Sequence, residues 1–176
     1  MEPAQHLAQL VRSLGDEVMR RHHDPERQLV TSLRAQSEAM AAAGVETASG
    51  VARARTAFDA LALQLVAHLD KEEHILFPAV DTLVQAACTG TARPPLPFAT
   101  LLHPIRVMEA DHERVSRAMD DLSGLVRTVS PPPALEAPWT AWRRDVARLS
   151  DDLAAHVRLE NELLFPRTLD LERALP

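Results

Sequence analysis

The chain has 176 residues, a formal net charge of -6 and a single cysteine. This length is enough for one domain with its own hydrophobic core, and one cysteine excludes a disulfide framework, a CxxC redox pair and a cysteine-based zinc site. The acidic balance and the dispersed arginines argue against nucleic acid as a partner. Because neither a signal peptide nor a membrane-spanning stretch is recognisable, we expect a soluble, cytoplasmic monomer or homodimer that does not bind membranes.

The composition predicts an all-α protein, because the β-branched and aromatic residues that favour strands are scarce. The first predicted helix begins near Pro3 and carries an apolar stripe as far as His22. Asp24-Pro25 then predicts a break or a restart of the helix. We therefore predict a single domain over residues 1–176. Within it, residues 1–22 form an N-terminal helical extension and residues 23–176 form an antiparallel up-down-up-down four-helix bundle.

Proline clusters and isolated prolines delimit the other bundle helices. The first bundle helix ends around Gly44. The second runs from about Val51 to Phe77, where Pro78 bends or ends it before a further turn or two. The third helix begins at Pro104 and the fourth at Pro138.

The second and fourth helices contain the same motif, in which His-x-x-x-Glu is followed by an aliphatic residue and Leu-Phe-Pro. In both copies two leucines, the histidine, the glutamate and the aliphatic residue follow one another at the spacing of a core-facing helical stripe. These stripes are Leu61, Leu65, His68, Glu72 and Ile75, and Leu149, Leu153, His156, Glu160 and Leu163. An ionised carboxylate buried without a partner costs several kcal/mol. The repeat therefore indicates a bound divalent metal.

The first helix of each half adds one histidine to this set. His112 occupies that place in the second half. In the first half we choose His22 over His23, because the spacing from Val18 and to Leu29 turns His23 away from the core. Two helical hairpins related by an approximate two-fold axis then predict a two-metal site, for which iron fits the mixed donors best and Mn or Zn are the competitors. The predicted ligands are His22, His68, Glu72, His112, His156 and Glu160.

The remaining polar residues receive no ligand role on spacing alone. We predict surface or solvated positions for His74, Glu73, Glu109, Asp111 and Glu162. His103 is predicted to be a helix-start residue, and His6, near the terminus, is given no role. Cys88 is predicted to be a small hydrophobic side chain without a function.

Four stretches of the sequence are similar to one known family. They are Arg21-His22 with Arg27-Gln28-Leu29, His68-x-x-Lys71-Glu72-Glu73-x-Ile75-Leu76-Phe77-Pro78, Pro104-Ile105-x-x-Met108-x-x-Asp111-His112, and His156-x-x-Leu159-Glu160-Asn161-x-Leu163-Leu164-Phe165-Pro166. The chain resembles the hemerythrin-like HHE cation-binding family, and within it the di-iron domain of the repair-of-iron-centres proteins. That resemblance implies a non-haem di-iron centre, oxo- or hydroxo-bridged, that reacts with O2 or NO in oxidative or nitrosative stress or in the repair of iron-sulfur centres.

Two departures from the family pattern affect this expectation. The repair proteins have another ligand histidine just before a glycine at the end of the first helix, and here the pair is Ala43-Gly44. The alternatives are that one iron is under-ligated, that it is exchangeable, that water completes its ligand set, or that Glu46 substitutes for the histidine. The N-terminal segment with paired cysteines that repair members carry is missing from this sequence, so repair chemistry that needs thiols would depend on a protein partner, whose identity the sequence leaves open.

The leading functional interpretation is a di-iron protein that binds or reduces a diatomic ligand, with NO reductase or peroxidase activity left open. The chain contains no tyrosine, which excludes a tyrosyl-radical generator. One alternative is a ligand-responsive sensor or interaction module that has a di-metal site and no turnover. Another is a metal-free bundle in which the histidines and glutamates form a polar core network.

Overall fold

The computed structural model describes residues 3–43 and 49–176, and these ranges contain helices and no strand. Four long helices form the predicted all-α, hemerythrin-like bundle. Their segments are α1 (Pro3–Val18), α2 (Asp24–Ala42), α3 (Ser49–Lys71), α4 (Phe77–Thr89), α5 (Leu102–Thr128), α6 (Glu136–Leu159) and α7 (Phe165–Ala174). None of the described helices is both long enough and apolar enough to cross a membrane.

Three π-helical turns join these segments into continuous helices. Met19–His23 joins α1 to α2, Glu72–Leu76 joins α3 to α4, and Glu160–Leu164 joins α6 to α7. A proline follows each turn as the second residue, namely Pro25, Pro78 and Pro166. Proline lacks an N–H, and its ring collides with the carbonyl four residues earlier in an α-helix. Widening the turn relieves this collision. The α-helix therefore restarts at Asp24, which was one of the two predicted alternatives, and the other, a break in the helix, is wrong.

The widened turns also rotate the helix faces. Ile75 and Leu163, which ideal helical spacing places in the core, are 50% and 45% exposed. Leu76 and Leu164, one residue later, are each only 1% exposed. The expected end of both stripes was therefore wrong by one residue, because a π turn holds one more residue than the α turn that it replaces.

The rotation predicts that truncating two adjacent residues changes the free energy of unfolding by very different amounts. Leu76→Ala is expected to lower the free energy of unfolding by about 2–5 kcal/mol, because it removes a buried side chain and leaves a cavity. Ile75→Ala, its matched control, is expected to change it by less than about 1 kcal/mol. Urea denaturation of both variants measures this difference. A larger loss in Ile75→Ala than in Leu76→Ala would contradict the register of the second π turn.

Two apolar cores occupy opposite ends of the bundle. One contains Phe58, Leu65, Val115, Trp142 and Leu153, and the other contains Val18, Leu76, Met108, Phe165 and Leu171. Along each of the four long helices, the residues of one core give way to those of the other across a short polar stretch. All four of these polar stretches lie at one level of the bundle, between the two cores.

Candidate metal centre

Each long helix contributes imidazole or carboxylate groups to this polar level. The third helix provides His112, and the second and fourth provide a histidine and a glutamate each. Five of the predicted ligands, His68, Glu72, His112, His156 and Glu160, are buried and offer donor atoms that all lie within 4.8 Å of one another. The structure thus brings together five of the six residues that the sequence singled out.

The sixth member of the cluster is His23 and not His22. His23 is 0% exposed, and its Nε2 lies 3.3 Å from Oε2 of Glu72 and 4.0 Å from Oε1 of Glu160. His22 instead places Nδ1 3.0 Å from Oδ1 of Asp152 and stacks on the outer side of His156, with ring centroids 5.5 Å apart. The prediction that His23 points away from the core is wrong.

The first π turn explains this error. Ideal spacing puts the next inward residue four positions after Val18, whereas the extra residue of the turn moves it to His23. The sequence contained a signal for this shift. His23 precedes Pro25 by two residues, as the buried Leu76 precedes Pro78 in the second turn.

The donor atoms of the cluster have no other partners. The Nε2 atoms of His23, His68, His112 and His156 and both carboxylate oxygens of Glu72 and Glu160 are buried without a hydrogen-bond partner. Nε2 of His112 and of His156 lie 3.0 and 3.2 Å from the same oxygen of Glu160. Such separations are those of neighbouring donors on one metal ion with bonds of about 2.0–2.2 Å. Buried polar atoms left unpaired are costly, so the donor set fits bound metal.

Without metal, the protonation states of the cluster residues limit its buried charge. Burial raises the pKa of Glu72 to about 8, with the charge of Glu160 adding to the effect. Burial lowers the pKa of His68 to about 2, and His112 beside it acts in the same direction. Burial alone would raise the pKa of Glu160, but His156 and His112 hold that pKa below its usual range. The metal-free cluster therefore limits its buried charge by keeping Glu72 protonated and His68 neutral.

Comparison with known proteins now identifies the family. The model of the hemerythrin HHE cation binding domain matches residues 14–168. The chain belongs to the hemerythrin HHE cation-binding family. The resemblance predicted from the sequence is confirmed.

Named relatives of this hemerythrin-like chain are iron-sulfur cluster repair proteins. The chain is 31% identical over 155 residues to the iron-sulfur cluster repair protein YtfE of Salmonella typhimurium strain LT2. Identity to the proteins of the same name from Salmonella paratyphi B and Salmonella newport is also 31% over 155 residues. Each alignment covers 88% of this chain and 64% of the relative, so the chain spans less than two thirds of the length of these relatives.

The outer edges of three cluster imidazoles are fixed by hydrogen bonds from Nδ1. The partners are Glu73 for His23 at 3.0 Å, Glu26 for His156 at 3.0 Å and Asn161 for His112 at 2.9 Å. When Nδ1 carries the proton, Nε2 is left free to bind metal. The fourth imidazole differs, since Nδ1 of His68 is buried without a hydrogen-bond partner and lies 4.0 Å from Oδ2 of Asp111.

Two of the neighbouring carboxylates were expected to be solvated, and this expectation was wrong. Asp111 is only 4% exposed and forms ion pairs with Lys71 and Arg114. Glu73 is partly buried between His23 and Arg27. The expected exposure of His74, Glu109 and Glu162 is confirmed.

Sequence reasoning missed Glu26 altogether. Its side chain is 0% exposed and hydrogen-bonds to His156, and burial raises its pKa despite that contact. Glu26 follows His23 by three residues on the same helix face, so the choice of His22 hid it. Ala43, which follows α2, offers no donor side chain in place of the additional histidine that the resemblance implied. Gly44 and Glu46 lie outside the described residues.

Proposed function

We propose that this chain, acting as one domain over residues 1–176, holds two iron ions that bind or react with O2 or NO. The observation that carries the proposal is the ring of buried, unpartnered imidazole and carboxylate donors between two apolar cores. The relatives are named for iron-sulfur cluster repair. That name supports iron over Mn or Zn, and it supports a proposed role in the oxidative or nitrosative stress response or in the repair of iron centres.

The six cluster residues divide into two metal positions. Position A lies between His23 and His156, whose ring centroids are 4.9 Å apart. Position B lies between His68 and His112, whose ring centroids are 4.7 Å apart. Together these histidines would provide two imidazoles to each ion.

The two glutamates reach both positions. Oε2 of Glu72 lies 3.3 Å from Nε2 of His23 and 3.3 Å from Nε2 of His68. Oε2 of Glu160 likewise approaches Nε2 of both His112 and His156. Each carboxylate would therefore bridge the two ions. A set of two imidazoles and two bridging carboxylate oxygens leaves room for a further small ligand on each ion.

The surrounding residues determine which ligand can approach. Two iron ions at this site would supply coordination of, and electron transfer to, a diatomic molecule. Leu69, Leu76, Met108 and Leu164 come from the two cores along the helices that carry the donors. Such an apolar enclosure limits access of bulk water. A small, weakly polar ligand fits these surroundings better than a large charged one.

Iron content per chain tests this proposal. Protein purified from iron-supplied cells is expected to contain about two iron ions per chain, and the His68→Ala and His156→Ala variants are expected to contain fewer, because each loses a donor of one position. Addition of NO or O2 to the reduced wild-type protein is then expected to change its visible absorption. Substoichiometric iron that is unchanged in both variants would overturn the site, and absorption that neither gas changes would overturn the assigned ligand.

A further inference from the structure

We propose that the two metal positions are unequal, with position A binding iron first and tightly and position B holding the weaker, exchangeable ion. This inference rests on the proposed two-iron site and assigns a positioning role to Glu26, Glu73 and Asn161. The evidence lies in the groups that contact the outer edges of the four imidazoles.

Both imidazoles of position A face carboxylates. Nδ1 of His156 is 3.0 Å from Oε1 of the buried Glu26, and Nδ1 of His23 is 3.0 Å from Oε1 of Glu73. A carboxylate that accepts a hydrogen bond from Nδ1–H fixes the ring and makes Nε2 a more basic donor. Position A therefore has two strengthened ligands.

Neither imidazole of position B has such a partner. Nδ1 of His112 donates to the neutral amide oxygen of Asn161 at 2.9 Å. Nδ1 of His68 makes no hydrogen bond, and Oδ2 of Asp111 is 4.0 Å away. The corresponding groups in the two halves differ in charge, since Glu73 follows Glu72 in the first motif and Asn161 follows Glu160 in the second.

Nearby charges strengthen the contrast. At position A, Arg27 compensates Glu73 through two hydrogen bonds. Within the part of the chain that the structure describes, Glu26 has an ion pair with His156 and none with a lysine or arginine. At position B, the single carboxylate of Asp111 contacts both Lys71 and Arg114. The surroundings of position A thus carry an excess negative charge and those of position B an excess positive charge, which favours the cation at position A.

Anaerobic titration of the metal-free, 176-residue chain with Fe(II), in competition with a chromophoric chelator, tests the inequality. Two binding steps are expected, with dissociation constants that differ by at least about tenfold. Glu26→Gln keeps the size of the side chain and removes its charge, so it is expected to weaken the tight step about 10–100-fold and to change the weak step much less. Two equal steps, or an equal loss in both steps of Glu26→Gln, would overturn the inference.

Asn161→Asp is expected to increase the affinity for iron, which a loss of folding cannot do. It places a carboxylate against Nδ1 of His112 and is expected to tighten the weak step, leaving the tight step unchanged. Glu162→Gln, at the exposed residue next to Asn161, is the matched control and should change neither step. A weak step that Asn161→Asp leaves unaltered would contradict the role of these partners.

Ligand deletions assign each step to its position. His112→Ala should retain one tightly bound ion, and His23→Ala should retain one weakly bound ion. The reverse pattern would overturn the assignment while leaving the two-iron site intact. A wild-type chain that binds no Fe(II) at all would instead overturn the proposed function, so the two failures are distinguishable.

Discussion

Replacing His23 by alanine is expected to lower the iron content to about one ion per chain or less, whereas replacing its neighbour His22 should leave about two. His23 directs an unpartnered, buried Nε2 towards Glu72 at 3.3 Å. The contact of His22 is with Asp152, whose side chain is 24% exposed. His22 also stacks on His156, but none of its contacts is with Glu72 or Glu160, so it does not belong to the cluster. The two substitutions therefore remove the same chemical group, in one case from the cluster and in the other from a residue beside it.

Elemental analysis of the two variants, purified side by side with the wild type, measures this difference. Thermal unfolding of the metal-free proteins supplies the control, because a variant that has lost its fold would also lose iron. Two iron ions retained in His23→Ala and lost in His22→Ala would restore the ligand set predicted from ideal helical spacing. It would also show that the first π turn is absent in solution.

The positions of His22 and His23 in the structure illustrate what the sequence could and could not predict. His68, Glu72, His156 and Glu160 follow regular α-helical turns whose leucines define the inward face, so their position follows from spacing alone. His23 lies at the end of a π turn, where one added residue rotates the face. Helical periodicity carries no information about that insertion, although the proline two residues later marks where it occurs.

The partners of the imidazoles were beyond sequence reasoning for a different reason. Glu73 contacts Arg27 on another helix, and Asp111 contacts Lys71. Such pairs depend on how the helices are rotated against one another, and charged residues are mostly exposed in proteins. The sequence thus predicted five of the six cluster residues but not the groups that contact the outer edges of their imidazoles.

The double variant His68→Leu/Glu72→Met is expected to be more stable than the wild type when both are metal-free, and less stable when iron is present. The metal-free wild type buries Glu72, whose pKa is raised to about 8 by burial and by Glu160, next to His68, whose pKa burial lowers to about 2. Apolar side chains of similar volume remove this cost, a change that stabilises comparable buried sites by about 1–4 kcal/mol. Iron makes the wild type the more stable of the two proteins, because it binds the folded wild type and not the unfolded chain. Such binding adds about 4 kcal/mol to the free energy of unfolding when the iron concentration is a thousand times the dissociation constant.

Chemical denaturation of both proteins, with and without iron, measures the reversal. A matched surface variant, His103→Leu/Glu109→Met, makes the same substitutions at two exposed positions of α5 and should change the free energy of unfolding by no more than about 0.5 kcal/mol in either state. A double variant that is more stable than the wild type in both states would support the metal-free polar network instead. Only a metal-binding site should destabilise the fold when it is empty and stabilise it when metal is bound. The change of sign in the stability difference between the double variant and the wild type is therefore the decisive result.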